Sequence, residues 1–422
     1  MAFSFHGMAI AFALFLFMFI ATAAPQQVSA LYVMTAVILV CIAKKNALRK
    51  YGPRLALLLS PVLVAAAIST VAGTEPTIEA VNRLIKLIGF ACLAVLILSH
   101  AIYMPALDRR NVRRIIQLSF FLILIYLVVL TFVLLVLQKF MNLSTTEQAT
   151  RLPWLLQPLT VLAIVTPIFL ASSSASSVLI VLLTLGLLGF LLLTLGALSA
   201  FSALVIGVGV FSVAYLLRRI GPVIALMAGA VILVAPLLAT PATIDALSAK
   251  IGPYLNESSL HRLAIWKYTA TEIANAPLFG HGLDTARALP GGSVLVPADY
   301  LPAPVQANPE WARLLVSGRA ELMPLHPHNG LMQLRLELGW IGVLAIFLVY
   351  SGVAYIITST VQDRTSRAGQ LGSFVAVIIV FQLSFGVWQT WWMSTLILTA
   401  SMGVASRRIL HMPNLKGETE RF

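Results

Sequence analysis

Apolar runs of membrane-crossing length follow one another along almost the whole of this 422-residue chain. A hydrocarbon layer of ~30 Å takes about 20 helical residues to cross, and these runs fall near 2–23, 29–43, 54–73, 85–104, 115–138, 159–172, 176–196, 198–216, 222–239, 330–357, 370–388 and 392–406. With 59% of residues hydrophobic and 10% charged, a soluble core wrapped in a polar surface is excluded for most of the chain. The expected fold is an all-α integral membrane protein with about twelve transmembrane helices.

Lys and Arg set the expected orientation. Clusters follow the second span (Lys44, Lys45, Arg49, Lys50, Arg54), the fourth (Arg109, Arg110, Arg113, Arg114) and the eighth (Arg218, Arg219). Arg364 and Arg367 follow the tenth, and Arg407, Arg408, Lys416 and Arg421 the last. All fall on one side, which the positive-inside rule makes cytoplasmic, together with both termini. The net charge of +13 is therefore a topology signal and does not indicate nucleic-acid binding. Ala21 to Pro25 faintly resembles a signal-peptidase site, but no Lys or Arg precedes the long apolar run, so an uncleaved first helix is expected. Cys41 and Cys92 lie inside spans, which suggests neither a disulfide framework nor a thiolate metal site.

Three regions result: a first bundle of about nine helices over 1–239, an outer segment over 240–328, and three closing helices with a cytoplasmic tail over 329–422. In the outer segment, Ser258 to Tyr268 has a helix start and helical apolar spacing, placing His261, Arg262 and Trp266 within about a turn. Pro277 to Gly282 then stops the helix, 290–309 reads as loop, and Pro309 to Val316 as a short helix. Between Arg151 and Arg218 no side chain is charged, which argues against the ion path of a coupled transporter. A secondary transporter of a small anion, which would also have about twelve helices, is the reading from another functional class.

Chemistry concentrates at Leu325-His326-Pro327-His328-Asn329-Gly330, where the outer segment re-enters an apolar helix. Histidine, with an unperturbed pKa of roughly 6.5, exchanges protons near neutrality. Arg335 follows His328 by seven residues, about 10 Å along the helix and near the same face, with Glu337 close behind. Arg83, Lys86 and Arg151 stand at outer membrane edges, where headgroup contact is the simpler reading of any one exposed cation.

Taken together, Arg262 with Trp266, the Pro277 to Gly282 turn, and His326 to Asn329 followed by Leu331, Glu337 and Gly339 resemble the signature of the O-antigen ligase and polymerase superfamily. The resemblance implies a lipid-linked glycosyltransferase fold of the GT-C-like kind, with a helical periplasmic subdomain in a bacterial inner membrane. It implies transfer of a glycan from undecaprenyl pyrophosphate to lipid A-core. A polymerase or a protein O-oligosaccharyltransferase would use much the same residues. One feature departs from the family: the arginine expected at the outer start of a middle helix is absent from Thr194 to Phe201. Arg151, Arg83 or Lys86 are the cations that could take its role.

The chemistry fits these residues. A sugar hydroxyl benefits from a base, worth about 10²- to 10⁴-fold; His328 is expected to be that base, with His326 beside it. The departing pyrophosphate needs fixed positive charge, and Arg262 can bind phosphate oxygens in a forked contact. Substrate contacts are expected from Arg83, Lys86, Arg151, Trp266, His261, Asn329, Arg335 and Glu337, with no metal and no cofactor. The three rim cations would line a cavity opening sideways to the bilayer, roofed by 240–328.

Overall fold

A computed structural model describes residues 5–41, 45–74, 78–140, 153–173, 178–217 and 219–407. Among these described residues, the first part of the chain forms α1 (Phe5–Ala23), α2 (Val28–Cys41), α3 (Lys45–Ala72), α4 (Ile78–Ile102), α5 (Ala106–Phe140), α6 (Pro153–Ser172), α7 (Val178–Thr194), α8 (Leu198–Leu216) and α9 (Gly221–Leu238). Four further helices follow, α10 (Pro241–Ile251), α11 (Glu257–Asn275), α12 (Ala303–Gln306) and α13 (Pro309–Val316), and then α14 (Gly330–Thr360), α15 (Arg364–Leu383) and α16 (Thr390–Ala405). Extended pairing among the described residues is limited to one bridge, Leu295 with Glu321.

Each expected span has its helix, but the expected count of twelve crossings is not reproduced by length and composition. Among the described residues, seven helices are long and apolar enough to cross a membrane: those in α3, α4, α5, α8, α9, α14 and α15. α1, α2, α6 and α7 contain shorter apolar helices. The 14 residues of α2 extend about 21 Å at 1.5 Å per residue, short of a ~30 Å layer, whereas α1 and α6 have 19 and 20 residues, close to the length a crossing takes.

Close helix packing rests on small residues. α15 runs against α6 and α8, and a Cβ added at Gly207, Gly369 or Gly372 would meet Ala376, Ala171 or Pro167 too closely. Without a solvent-driven hydrophobic force between helices in lipid, such close backbone approach is what gains dispersion contact. Buried Phe120 stacks on Phe169 at 4.2 Å, joining α5 to α6.

The described cationic clusters gather at the end of the bundle where α4 and α16 finish. Arg109 donates to the carbonyls of Ala101, Ile102 and Val404, Arg113 to those of Ser406 and Arg407, and Arg364 to those of Tyr215 and Leu216. These carbonyls lie at or just past helix C-termini, where the last four acceptors lack intrahelical partners and the dipole favours cations.

At the opposite end, residues 241–329 pack around their own apolar cluster of Leu260, Leu263, Leu301, Val305, Trp311 and Leu314. α11 begins at Asn256, whose side chain accepts from Ser259 N at 3.0 Å. α10, at Pro241–Ile251, went unread in the sequence; Thr240 caps it. A second cluster ties the segment to α14 through Leu336, packed with Ile265, Tyr268 and Ile273.

α14 is broken. Gly339 has φ 64° and ψ −157°, and the helix resumes beyond it. The Pro277 to Gly282 turn inserts at this break: His281 N donates to Leu336 O and Gly282 N to Glu337 O, both at 2.9 Å, while Trp340 N donates to Pro277 O at 3.1 Å. Backbone groups freed by the break are thus paired with backbone groups of the turn, which is how irregular chain becomes tolerable in an apolar setting. Ser69 of α3 adds a further bond, its hydroxyl donating to Glu337 O at 2.6 Å. Glycine is required on both sides: a Cβ at Gly280 (φ 71°) would overlap the Glu337 backbone, and one at Gly339 the Leu278 carbonyl.

Candidate functional site

The site lies where the α11 face, the 325–329 loop and the α15–α16 connection meet. Trp266 on α11 donates its indole N–H to Pro327 O at 2.8 Å, fixing the loop between the two histidines. Asn329 is the N-cap of α14, accepting from Met332 N at 3.0 Å. His328 sits between these anchors at φ 55°. Among the described non-glycine residues only His328 and Asp284 have positive φ, a conformation that costs of order 1–3 kcal/mol and clusters at functional sites.

The two imidazoles are held in different tautomers when neutral. His328 Nδ1 lies 2.8 Å from Ser384 O. A carbonyl only accepts, so Nδ1 carries the proton and Nε2 keeps its lone pair. His326 Nδ1 instead accepts from the backbone N–H of His328 at 3.2 Å, which places its proton on Nε2, 3.4 Å from the Gln389 side-chain amide. The ring centroids are 4.3 Å apart. Burial pushes the His326 imidazole down to about 3, helped by the neighbouring His328, Arg287 and Arg262. Burial also lowers His328, with Arg262 and His261 adding to the effect and the Ser384 carbonyl opposing it. Both rings are therefore neutral at pH 7, one presenting a base and the other a donor.

Arg262 is the site's uncommitted cation. Its charge is felt by both imidazoles, burial lowers its own pKa, and among the described residues no hydrogen bond or ion pair reaches it. A half-buried guanidinium without a counter-ion is suited to an incoming anion.

Beside His326 opens a cleft of about 170 Å³, lined by Asp284, Arg287, Gln333, Trp388 and Gln389. Its back wall is organised by Glu337, which is 0% exposed. One carboxylate oxygen accepts from Ala286 N at 3.2 Å and Gln333 Nε2 at 3.1 Å; the other accepts from Asp284 N at 3.1 Å and the Trp388 indole N–H. Gln333 Oε1 in turn accepts from Val387 N at 2.9 Å.

Several expected substrate contacts are committed elsewhere. Glu337, expected to meet substrate, is sealed by four N–H donors. Arg335 turns away from His328: it donates to Pro236 O in the last turn of α9 and lies over the Trp340 ring at 4.5 Å, serving an orphan helix-end carbonyl. Trp266 and Asn329 hold the loop. His261 Nε2–H donates to Glu321 O at 2.8 Å, and His281 is spanned by Thr74 and Glu272 O. Arg83 reaches Leu283 O and Asp284 O at 3.1 and 2.9 Å and pairs with Glu79 at 3.0 Å, bracing the cleft from behind. Lys86 is exposed on α4. Arg151 lies outside the described residues.

Sequence reasoning missed Asp284, Arg287, Gln333, Ser384, Trp388 and Gln389. Gln333 had a usable signal, four residues after Asn329 and four before Glu337 on one helical face. The others come together only through the break in α14. Where the middle-helix arginine was sought, Ser199 at the start of α8 accepts from the Ser384 hydroxyl at 2.9 Å.

The chain is a multi-pass membrane protein by its apolar helices, with a polar site at one end of the bundle. Residues 182–347 match the O-antigen ligase family. Proteins named "Putative polysaccharide ligase" are similar over part of their length: one from Rickettsia conorii is 32% identical over 139 residues, and one from Rickettsia bellii 34% over 143. These stretches cover 33% of this chain and 29% and 30% of those relatives. The stretch that resembles the O-antigen ligase family holds Arg262, His326, His328 and Glu337.

Proposed function

We propose that the protein transfers a glycan from undecaprenyl pyrophosphate to an acceptor hydroxyl, the acceptor being lipid A-core, at the periplasmic face of a bacterial inner membrane. The observation that carries this reading is the pairing of a tautomer-fixed His328, its Nε2 lone pair free, with an uncommitted Arg262. The acceptor oxygen attacks the anomeric carbon as its proton passes to His328 Nε2. The carbon–oxygen bond to pyrophosphate breaks, and the negative charge on the leaving group is met by Arg262. A single displacement of this kind inverts the anomeric centre and yields glycosylated acceptor and undecaprenyl pyrophosphate. Fixed charge aimed at the leaving group acts without reorganisation at the moment of reaction.

This mechanism uses no metal ion. It is tested by reconstituting the purified protein with a lipid pyrophosphate glycan and, separately, lipid A-core, a growing glycan and a protein acceptor. Transfer to lipid A-core that survives excess chelator is expected. Transfer only to one of the other acceptors would reassign the substrate, and chelator sensitivity rescued by one divalent ion would overturn the metal-free step.

A further inference from the structure

The cleft beside His326 differs in chemistry from the Arg262 side of the site. Its cation, Arg287, already pairs with Asp284 at 3.2 Å, and Asp284 also lies 3.8 Å from Arg83, which pairs with Glu79. Two guanidinium groups are thus matched by two carboxylates. Behind them the Glu337 carboxylate accepts four N–H bonds, so the cleft offers no surplus positive charge to a pyrophosphate.

What it does offer is a mainly polar wall into which one fixed indole, that of Trp388, is set. Trp388 spends its indole N–H on Glu337, which locks the ring and leaves it to meet a ligand through carbon. Arg287, Asp284 and the Gln389 amide, which already accepts from the Trp391 indole at 3.2 Å and lies 3.4 Å from His326 Nε2, supply polar groups at the edges. Aromatic surface with a few convergent polar groups suits a ligand with apolar C–H faces and a rim of hydroxyls.

We propose that this cleft is a subsite for one uncharged pyranose ring, with Trp388 as its platform, distinct from the phosphate position at Arg262. The inference rests on the glycan-transfer reading for its place in a reaction. Because the His326 and His328 rings are 4.3 Å apart, a sugar held there lies next to the base.

The test is ligand-observed magnetic resonance on the purified full-length protein in nanodiscs. The probes are free glucose, galactose, N-acetylglucosamine and rhamnose, with inorganic pyrophosphate measured separately. At least one sugar should bind, and Trp388→Leu and Gln389→Ala should each weaken it by about tenfold or more, equivalent to ~1.4 kcal/mol. Arg262→Gln should spare the sugar and weaken pyrophosphate. Gln389→Ala, which leaves the Glu337 network whole, keeps the test valid if Trp388→Leu fails to fold. Absence of sugar binding, sugar binding indifferent to Gln389→Ala, or pyrophosphate binding lost with Gln389→Ala would each overturn the proposal. In transfer assays, a raised KM for acceptor alone in Gln389→Ala assigns the ring to the acceptor, and a raised KM for donor alone assigns it to the donor. Sugar binding in a protein that transfers no glycan would overturn the catalytic reading and leave the subsite standing.

Discussion

At the scale of single residues, the two histidines should separate. His328→Ala removes the proposed base and should lower turnover by about 10²- to 10⁴-fold, with expression and membrane insertion unchanged. His326→Ala should cost less, since that ring's lone pair is occupied by the His328 backbone N–H; equal losses in turnover would mean that the pair acts jointly. The pH profile follows from the direction of the His328 shift. A base with its pKa held below the usual ~6.5 by burial and by Arg262 stays active as pH falls past that value, and activity is lost only further into acid. Arg262→Gln removes a nearby positive charge, so the acid limb of kcat/KM should move to higher pH. Arg262→Lys should lose about 10- to 100-fold, because one charge-assisted bond of a forked pair is worth ~1.5–3 kcal/mol. Full turnover by the lysine variant at saturating donor would show that geometry is not why arginine stands there.

At the scale of elements, the break in α14 places the site. Gly339→Ala should lower the melting temperature and abolish transfer: positive φ in a residue with a Cβ costs of order 1–3 kcal/mol, before the overlap with Leu278 is relieved. A thermal melt of the variant in nanodiscs checks this, and an unchanged midpoint would mean that the turn does not depend on the glycine. Much at this scale was legible in the sequence. Apolar run length marked the positions of the apolar helices α1 to α9 and α14 to α16, and a start signal with helical spacing marked α11. The break was not legible, because Leu-Glu-Leu-Gly-Trp reads as continuous helix unless a distant turn is known to dock there. For the same reason Glu337 and Arg335 looked like site groups: sequence shows that a charge enters an apolar helix, but not whether backbone donors or a helix-end carbonyl await it.

At the scale of the whole molecule, charge divides between the two ends of the bundle. The described arginines at the α4 and α16 termini stop helix ends, while those around the cleft are paired, except Arg262. The expected rim cations therefore part company. Lys86→Gln should raise the apparent KM for a lipid pyrophosphate donor at low salt with little change in kcat, because an exposed cation attracts phosphate without touching the transition state. Arg83→Gln should lower kcat, because its guanidinium holds the Leu283 and Asp284 carbonyls. Steady-state kinetics with graded donor distinguishes the two, and identical behaviour would return Arg83 to the rim.

The docking of the 277–282 turn into α14 also orders biogenesis. Synthesis delivers the turn well before the backbone groups that complete it have been inserted, so the N–H groups of His281 and Gly282 must wait, hydrated, for a helix not yet in the membrane. An excised 240–329 fragment should accordingly exchange those two amide hydrogens rapidly, while in the full chain they exchange slowly; maturation of the proposed catalytic end becomes a late event, licensed by insertion of α14.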